Sequence, residues 1–435
     1  MNAPIAPGRD LLSELAWRGL LHQQTEGLEA LLAAGPVTGY CGFDPTAPSL
    51  HVGNLMSIMA LVRLQRAGHR PIALVGGGTG MIGDPSGRSL ERQLVTRDVV
   101  DANVRGIREQ LGRFLDFDGT NGAKLVDNAE WLLEMRAIDF MRDVGKHFTV
   151  NYMLQKESVQ TRLESESGIS YTEFSYMLLQ AYDYLELARR ENARLQVGGS
   201  DQWGNITAGT ALIRKTLGIE AHALTGPLLL TASGEKFGKS AGNAVWLDAE
   251  RTSPYQFYQY WINADDRDLP KLLRFFSLRG QEEIEAIERE AAAHPERRIS
   301  QRELAREVTS RVHGAEAATV AEEVSALLFG GGDAQAISPA ALDALAREIP
   351  FVEQAPRAPE HDPSAAPVID ALELAVLTQL VKSKGEARRL LQQGGLSANG
   401  AKLSSPTIER DQLLRGEYVL LKKGARSYAL ARIRR

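Results

Sequence analysis

The chain has 435 residues, 43% hydrophobic and 24% charged, with a formal net charge of −5; this length points to two or three domains and a sizeable core. No apolar run approaches the ~20 residues of a membrane span, and the N-terminus, MNAPIAPGRDLLSELAWRGL, lacks the basic-then-apolar pattern of a secretory signal. The single cysteine, Cys41, excludes an intrachain disulfide and thiolate metal clusters, so a reducing, cytoplasmic setting is expected; separately, no metal-ligand constellation is visible in the sequence.

Residues 37–43, VTGYCGF, are a short apolar run that predicts a buried strand, and Asp44-Pro45-Thr46-Ala47-Pro48 then turns the chain. A helix is predicted from about Leu55 to Ala67, with Gly68 at its stop, and Ile72–Val75 is the next strand. Strand, helix and strand at this spacing make a βαβ unit with a parallel, right-handed crossover. Further alternation follows, with LQVGG at 195–199 as another strand. The fold class expected for 1–250 is therefore α/β, a doubly wound parallel-sheet (Rossmann-like) domain preceded by an N-terminal helical segment. Such sheets bind ligands beyond the carboxyl ends of their strands.

The character changes near residue 250. Thr252-Ser253-Pro254 reads as a helix start, opening a mostly α-helical domain over 251–330. Residues 331–367, with glycines at their start and Pro356, Pro359, Pro363 and Pro367, have the composition of a linker. Residues 368–435 read as a small α+β module, with LTQLVKSKGEARRLLQQGG as a helical pair and YVLLKK and YALARI as strands. Residues 380–435 carry 13 Lys/Arg against 4 Asp/Glu, or +9, which leaves −14 for the rest. A basic tail on an acidic body fits a polyanionic partner such as nucleic acid, and taken by itself fits a solvated basic surface equally well.

Three glycine-containing stretches invite a nucleotide. Gly78-Thr79-Gly80-Met81-Ile82-Gly83 matches the dinucleotide pattern, but Asp84-Pro85-Ser86-Gly87 breaks the chain where that pattern must open a helix. These glycines more readily let backbone approach a ligand of another kind. SGEKFGKSAGN at 233–243 ends like a P-loop, yet Ser233 stands where its first glycine is required. His51-Val52-Gly53-Asn54 sits at the entry to the first long helix, where unpaired N–H groups and the dipole favour phosphate. There His51 can donate to a phosphate oxygen, and Gly53 leaves room for a base or ribose. On the second stretch Lys236 and Lys239 flank a flexible glycine and can close on a triphosphate as charge moves toward pyrophosphate.

As a pair, HVGN and KFGKS resemble the HIGH and KMSKS signatures of class I aminoacyl-tRNA synthetases. Together with YCGFDPTAPSLHVGN, VGGGTGMIGDPSGR, YTEFSYMLLQAYDYL and LQVGGSDQWGNI, they resemble the bacterial tyrosyl-tRNA synthetase family from about residue 35 to 325. The basic tail is similar to that family's RNA-binding module. Two departures stand out: Asn54 replaces the second histidine of HIGH, and Phe237-Gly238 replaces the Met-Ser of KMSKS.

The resemblance implies a site. Tyr176, Gln180 and Asp183, at i, i+4 and i+7 of one helix face, would line an amino-acid pocket. Tyr176, Gln180 and Asp84 would hold the substrate ammonium, and Asp183 and the Tyr40 hydroxyl its phenolic OH. Gln202 and Asp44 would lie near the reacting groups. Cys41, Gly42, Gly53, Asn54, Gly199 and Asp201 would border ATP, with Ser57 nearby and Ser240 on the loop. Thr46, His51, Lys236 and Lys239 would stabilise the migrating charge, and Arg88 and Arg92 would grip pyrophosphate. The implied substrates are L-tyrosine, ATP with Mg2+ and tRNA(Tyr). The implied assembly is a homodimer, with 251–330 on the anticodon side.

Overall fold

The computed structural model describes residues 10–86, 95–164, 168–234, 237–240, 243–329, 332–355 and 368–434. They pack as two units, Met1–Thr252 with Ile262–Leu304, and Ser253–Trp261 with Ala305–Arg435.

The first unit is built on a six-stranded sheet. Its strands are β1 (Gln23–Gln24), β2 (Thr38–Phe43), β3 (Arg70–Val75), β4 (Lys124–Asp127), β5 (Ala193–Gly199) and β6 (His222–Gly226), in the order β1-β6-β5-β2-β3-β4. All neighbours are parallel except β1, which pairs antiparallel with β6 at the edge. The chain first builds outward from β2 through β3 to β4, then returns to β5 on the other side of β2. The β2/β5 boundary is thus the switch point at which a doubly wound sheet opens a crevice.

Alternation along β2 assigns the two faces. Tyr40, with Ile72 and Leu74 of β3, joins a core shared with two helices, Tyr171–Glu191 and Trp203–Leu217. Gly39 faces the other way, against the helix Leu55–Arg66, where a Cβ would meet Leu64 Cδ2 at 2.8 Å. We label as α1 Leu11–Arg18, α2 Leu55–Arg66, α3 Arg97–Leu111, α4 Tyr171–Glu191 and α5 Trp203–Leu217. α2 stops where expected, Gly68 taking φ 86°. α4 begins with the Ser170 hydroxyl accepting from Glu173 N and ends at Asn192 in the left-handed region.

A helix runs over Pro254–Ile262, its residues through Trp261 belonging to the second unit, with the Ser253 hydroxyl accepting from Gln256 N as the Ser-Pro signal implied. Helices Ala371–Leu377 and Lys384–Gln392 precede strands β8 (Leu396–Ala398), β9 (Ala401–Lys402), β10 (Tyr418–Lys423) and β11 (Ser427–Ile433). A further strand, β7 (Phe351–Gln354), runs parallel to β11 and completes the sheet in the order β9-β8-β10-β11-β7.

Two boundaries differ from the sequence reading. Residues 262–304 of the expected helical domain pack with the first unit, and only 253–261 and 305–329 with the second. The expected linker also contains structure, because Ser338 caps and Pro339 opens a helix over Pro339–Glu348 before β7. A local start signal there outweighs composition. The four prolines behind the linker reading lie outside the described residues.

Candidate active site

A cavity of about 420 Å³ opens at the β2/β5 switch point. It gathers residues from both signatures and from the helix face singled out above: Tyr40, Cys41, Gly42, Asp44, Thr46, His51, Gly53, Asn54, Ser57, Asp84, Tyr176, Gln180, Asp183, Gly199, Asp201, Gln202 and, from KFGKS, Phe237 all line it. Arg88, Arg92 and Lys236 lie outside the described residues, and of Lys239 and Ser240 only the backbone is described.

The inner end is closed by Asp183 and Tyr40. Asp183 accepts from Asn128 Nδ2 at 2.9 Å and from Trp131 Nε1 at 2.8 Å, one bond to each carboxylate oxygen. Burial pushes its carboxyl up to about 8; these two bonds favour the ionised form, and nearby Asp44 and Asp127 oppose it. The Tyr40 hydroxyl is buried with no hydrogen-bond partner among the described residues. Burial, then the neighbouring Asp183, holds that phenol well above its ordinary range, so it stays a neutral donor. An unpaired donor beside an anchored carboxylate is a site prepared for a hydroxyl that can both accept and donate.

A second group of polar side chains lies nearer the mouth. Tyr176 OH donates to Asp44 Oδ2 at 2.8 Å, and Thr79 Oγ1 donates to Asp44 Oδ1 at 2.9 Å. Gln202 Nε2 donates to Asp84 Oδ2 at 2.7 Å, while Asn205 Nδ2 donates to Gln180 Oε1 at 3.1 Å. Asp44, Asp84, Tyr176, Gln180 and Gln202 thus form an acidic, amide-rich rim suited to an ammonium group. Asn128 Nδ2 also donates to Thr79 Oγ1 at 2.9 Å, which links this rim to Asp183.

At the HVGN turn the structure sharpens the chemistry. Gly53 N donates to His51 Nδ1 at 3.0 Å, so the neutral ring carries its proton on Nε2. His51 N donates back to Asn54 Oδ1 at 3.0 Å, completing a capping box ahead of α2. At Gly53 a Cβ would sit 2.7 Å from His51 Cε1, so glycine there also lets the His51 ring lie against the backbone. Likewise Gly76 and Gly77 admit side chains of the chain itself. A Cβ there would meet Asp44 Oδ1 at 2.3 Å and Asp127 Oδ1 at 2.2 Å, respectively.

The second signature comes back to the first. Val52 N donates to Val245 O, Val245 N donates to Gly238 O, and Trp246 bridges to His51. Gly238 has φ 99°, and a Cβ on it would come within 2.9 Å of Gly53 N. Glycine in place of the signature serine is what this approach requires. Reading the sequence missed Asn128, Trp131, Thr79 and Asn205. Their one available signal was position, Asn128 and Trp131 just past the end of β4 and Thr79 just past β3.

A Rossmann-like sheet whose switch point collects a His-x-Gly-Asn helix entry, the KFGKS segment and a polar-lined cavity is the catalytic core of a class I aminoacyl-tRNA synthetase. The family profile for tRNA synthetases class I (W and Y) matches residues 32–330, and the chain belongs to that family. A second profile, for the tyrosine--tRNA ligase SYY-like C-terminal domain, matches residues 352–431. Relatives named tyrosine--tRNA ligase include one from Anaeromyxobacter dehalogenans, 52% identical over 98% of this chain and 100% of that one. Another, from Acidothermus cellulolyticus, is 51% identical over 96% of this chain and 98% of its own length. Among solved structures, a C-terminally truncated mitochondrial tyrosyl-tRNA synthetase of Aspergillus nidulans superposes with a TM-score of 0.67. It is 29% identical, covering 74% of this chain and 95% of that one.

Proposed function

We infer that this protein is a tyrosine–tRNA ligase. The carboxylate of L-tyrosine attacks the α-phosphorus of ATP, pyrophosphate leaves, and tyrosyl-adenylate remains bound. A hydroxyl of the terminal adenosine of tRNA(Tyr) then attacks the activated carbonyl and AMP departs.

The observation that carries the choice of tyrosine is the buried pair of Asp183 and Tyr40. Tyrosine's hydroxyl can accept from Tyr40 OH and donate to a carboxyl oxygen of Asp183. Phenylalanine would leave the Tyr40 hydroxyl dry and unpaired and deny Asp183 a third partner beside Asn128 and Trp131, a larger penalty than a missing methylene; tyrosyl-tRNA synthetases are the standard illustration of this asymmetry. The substrate ammonium takes the rim of Asp84, Tyr176 and Gln180, with Gln202 and Asp44 beside the reacting groups. Cys41, Gly42, Gly53, Asn54, Gly199 and Asp201 border the nucleotide. Charge moving toward pyrophosphate is met by Thr46, by the Nε2–H of His51 and by Lys236 and Lys239, with Arg88, Arg92 and Ser240 alongside. The protein contributes positioning and electrostatics and forms no covalent intermediate. Mg2+ enters with ATP as part of the substrate.

The basic C-terminal domain binds tRNA, and residues 251–330 face the anticodon side. The enzyme works as a cytoplasmic homodimer. Exposed apolar side chains support self-association: Ile138, Met141, Val150 and Tyr171 are each more than half accessible in the single chain.

ATP–pyrophosphate exchange run with each of the twenty amino acids tests this reading. Exchange stimulated by tyrosine alone is expected. Stimulation by tryptophan, or by none, rejects it.

A further inference from the structure

The chain between β6 and the KFGKS signature leans on one helix of the first unit, Leu269–Phe276. Ala232 N donates to Asp268 Oδ2 at 3.0 Å at one end of it, and Lys271 Nζ donates to Leu230 O at 3.3 Å. At the other end the Phe237 ring stacks on Phe276, with centroids 5.8 Å apart and planes 21° from parallel. Phe276 is fully buried.

That helix is in turn fixed at its carboxyl end. Arg18 of α1 donates to the carbonyls of Arg274 (2.8 Å), Ser277 (2.9 Å) and Arg279 (2.6 Å). Arg63 of α2 donates to the Phe275 carbonyl at 2.6 Å. Both guanidinium groups are buried, and both meet the negative end of the helix dipole. α2 is the helix that opens at the HVGN turn. Phe276 is therefore held in a fixed relation to His51 through Arg63 and α2. Gly238, the residue after Phe237, rests on Gly53 within the same turn.

We propose that Phe276 is a positioning residue for adenylate formation: its stack on Phe237 sets the Phe237–Ser240 segment, and with it Lys239, in register with the HVGN turn. The proposal rests on the tyrosine-activation reading above. It also assigns a purpose to the phenylalanine of KFGKS, because a flat ring offers Phe276 a stacking face.

The test uses full-length Phe237→Leu, Phe276→Leu, their double variant and Phe276→Tyr. Three quantities are measured: the presteady-state rate of adenylate formation at saturating substrates, equilibrium tyrosine affinity, and tryptic cleavage after the loop lysines. Each leucine variant should slow adenylate formation by about two- to tenfold, the worth of an aromatic pair, and be cut faster by trypsin. Tyrosine affinity should stay at the wild-type value. The double variant should be no slower than the slower single one, since both lose the same contact. Phe276→Tyr, which keeps the ring but adds a hydroxyl to a buried position, should be faster than Phe276→Leu. Unchanged rates and cleavage, fully additive slowing, or tyrosine affinity falling in step with rate would each overturn the proposal. If Phe276→Leu fails to fold, Phe237→Leu alone decides through the same readouts. If wild type shows no tyrosine-dependent exchange, the functional reading fails, and the trypsin comparison still judges the stack.

Discussion

Replacing Tyr40 by phenylalanine should move stability and selectivity in opposite directions. Tyr40 is 1% exposed, and its buried hydroxyl has no partner among the described residues. A buried, unsatisfied polar group costs about 1–3 kcal/mol, so deleting the oxygen while keeping the ring should leave the free protein as stable or more stable. With tyrosine bound, the same oxygen makes one neutral hydrogen bond, worth about 0.5–1.5 kcal/mol net. The preference for tyrosine over phenylalanine should then fall by about two- to tenfold, the fold-equivalent of that energy. Asp183 remains in place, so discrimination is reduced and not abolished. The assay pairs calorimetric unfolding without ligand with kcat/KM for exchange on each amino acid. A clear drop in unfolding temperature would show that the hydroxyl already had a partner. Unchanged selectivity would show that it never meets the substrate.

Three further outcomes follow from the same geometry. Asn128→Ala removes a donor to Asp183 and breaks the link to Thr79, so tyrosine affinity should weaken by about two- to tenfold, the worth of one neutral hydrogen bond; equilibrium dialysis showing wild-type affinity would refute this. Burial raises the Asp183 carboxyl to about 8, so between about pH 4 and 8 the folded chain holds a proton that the unfolded chain has lost. Its contribution to stability therefore declines as pH rises through that window, and the advantage of wild type over Asp183→Asn should shrink from pH 5 to 8. Parallel unfolding curves would contradict this. Lys239→Ala should slow adenylate formation far more than it weakens tyrosine binding, and an unchanged presteady-state rate would remove Lys239 from the mechanism.

What the sequence made legible was mostly local. Tyr176, Gln180 and Asp183 share a helix face by simple periodicity, and the structure turns all of them to one cavity. β2, α2 and β3 could be read because their apolar runs, Asp-Pro turn and stop glycine all lie within a few dozen residues. What escaped depends on pairs far apart in the chain. Asn128 reaches Asp183 across 55 residues and Trp131 reaches it across 52, and neither has a periodic neighbour that announces its target. The glycines after β3 show the same limit: a glycine signals close approach, but not that the approaching group is Asp44 or Asp127.

The C-terminal region carries this argument into experiment. Composition marked 331–367 as a spacer that could be severed, which makes deletion of 368–435 look like the natural test of tRNA binding. The structure argues against it. Leu414, Tyr418, Leu420 and Leu430 share a core with Val324, Leu327, Leu342 and Leu345. Truncation would expose that core, and lost charging would then report damage to the second unit. The cleaner perturbation removes charge and keeps the packing: Arg388, Lys402 and Arg426 are exposed, and changing all three to glutamine leaves the core intact. Tyrosine-dependent exchange should be unaffected, while the affinity for tRNA(Tyr) should fall and its salt dependence flatten by about one unit of slope per lost phosphate contact. Weaker binding at an unchanged slope would place the tRNA on another surface.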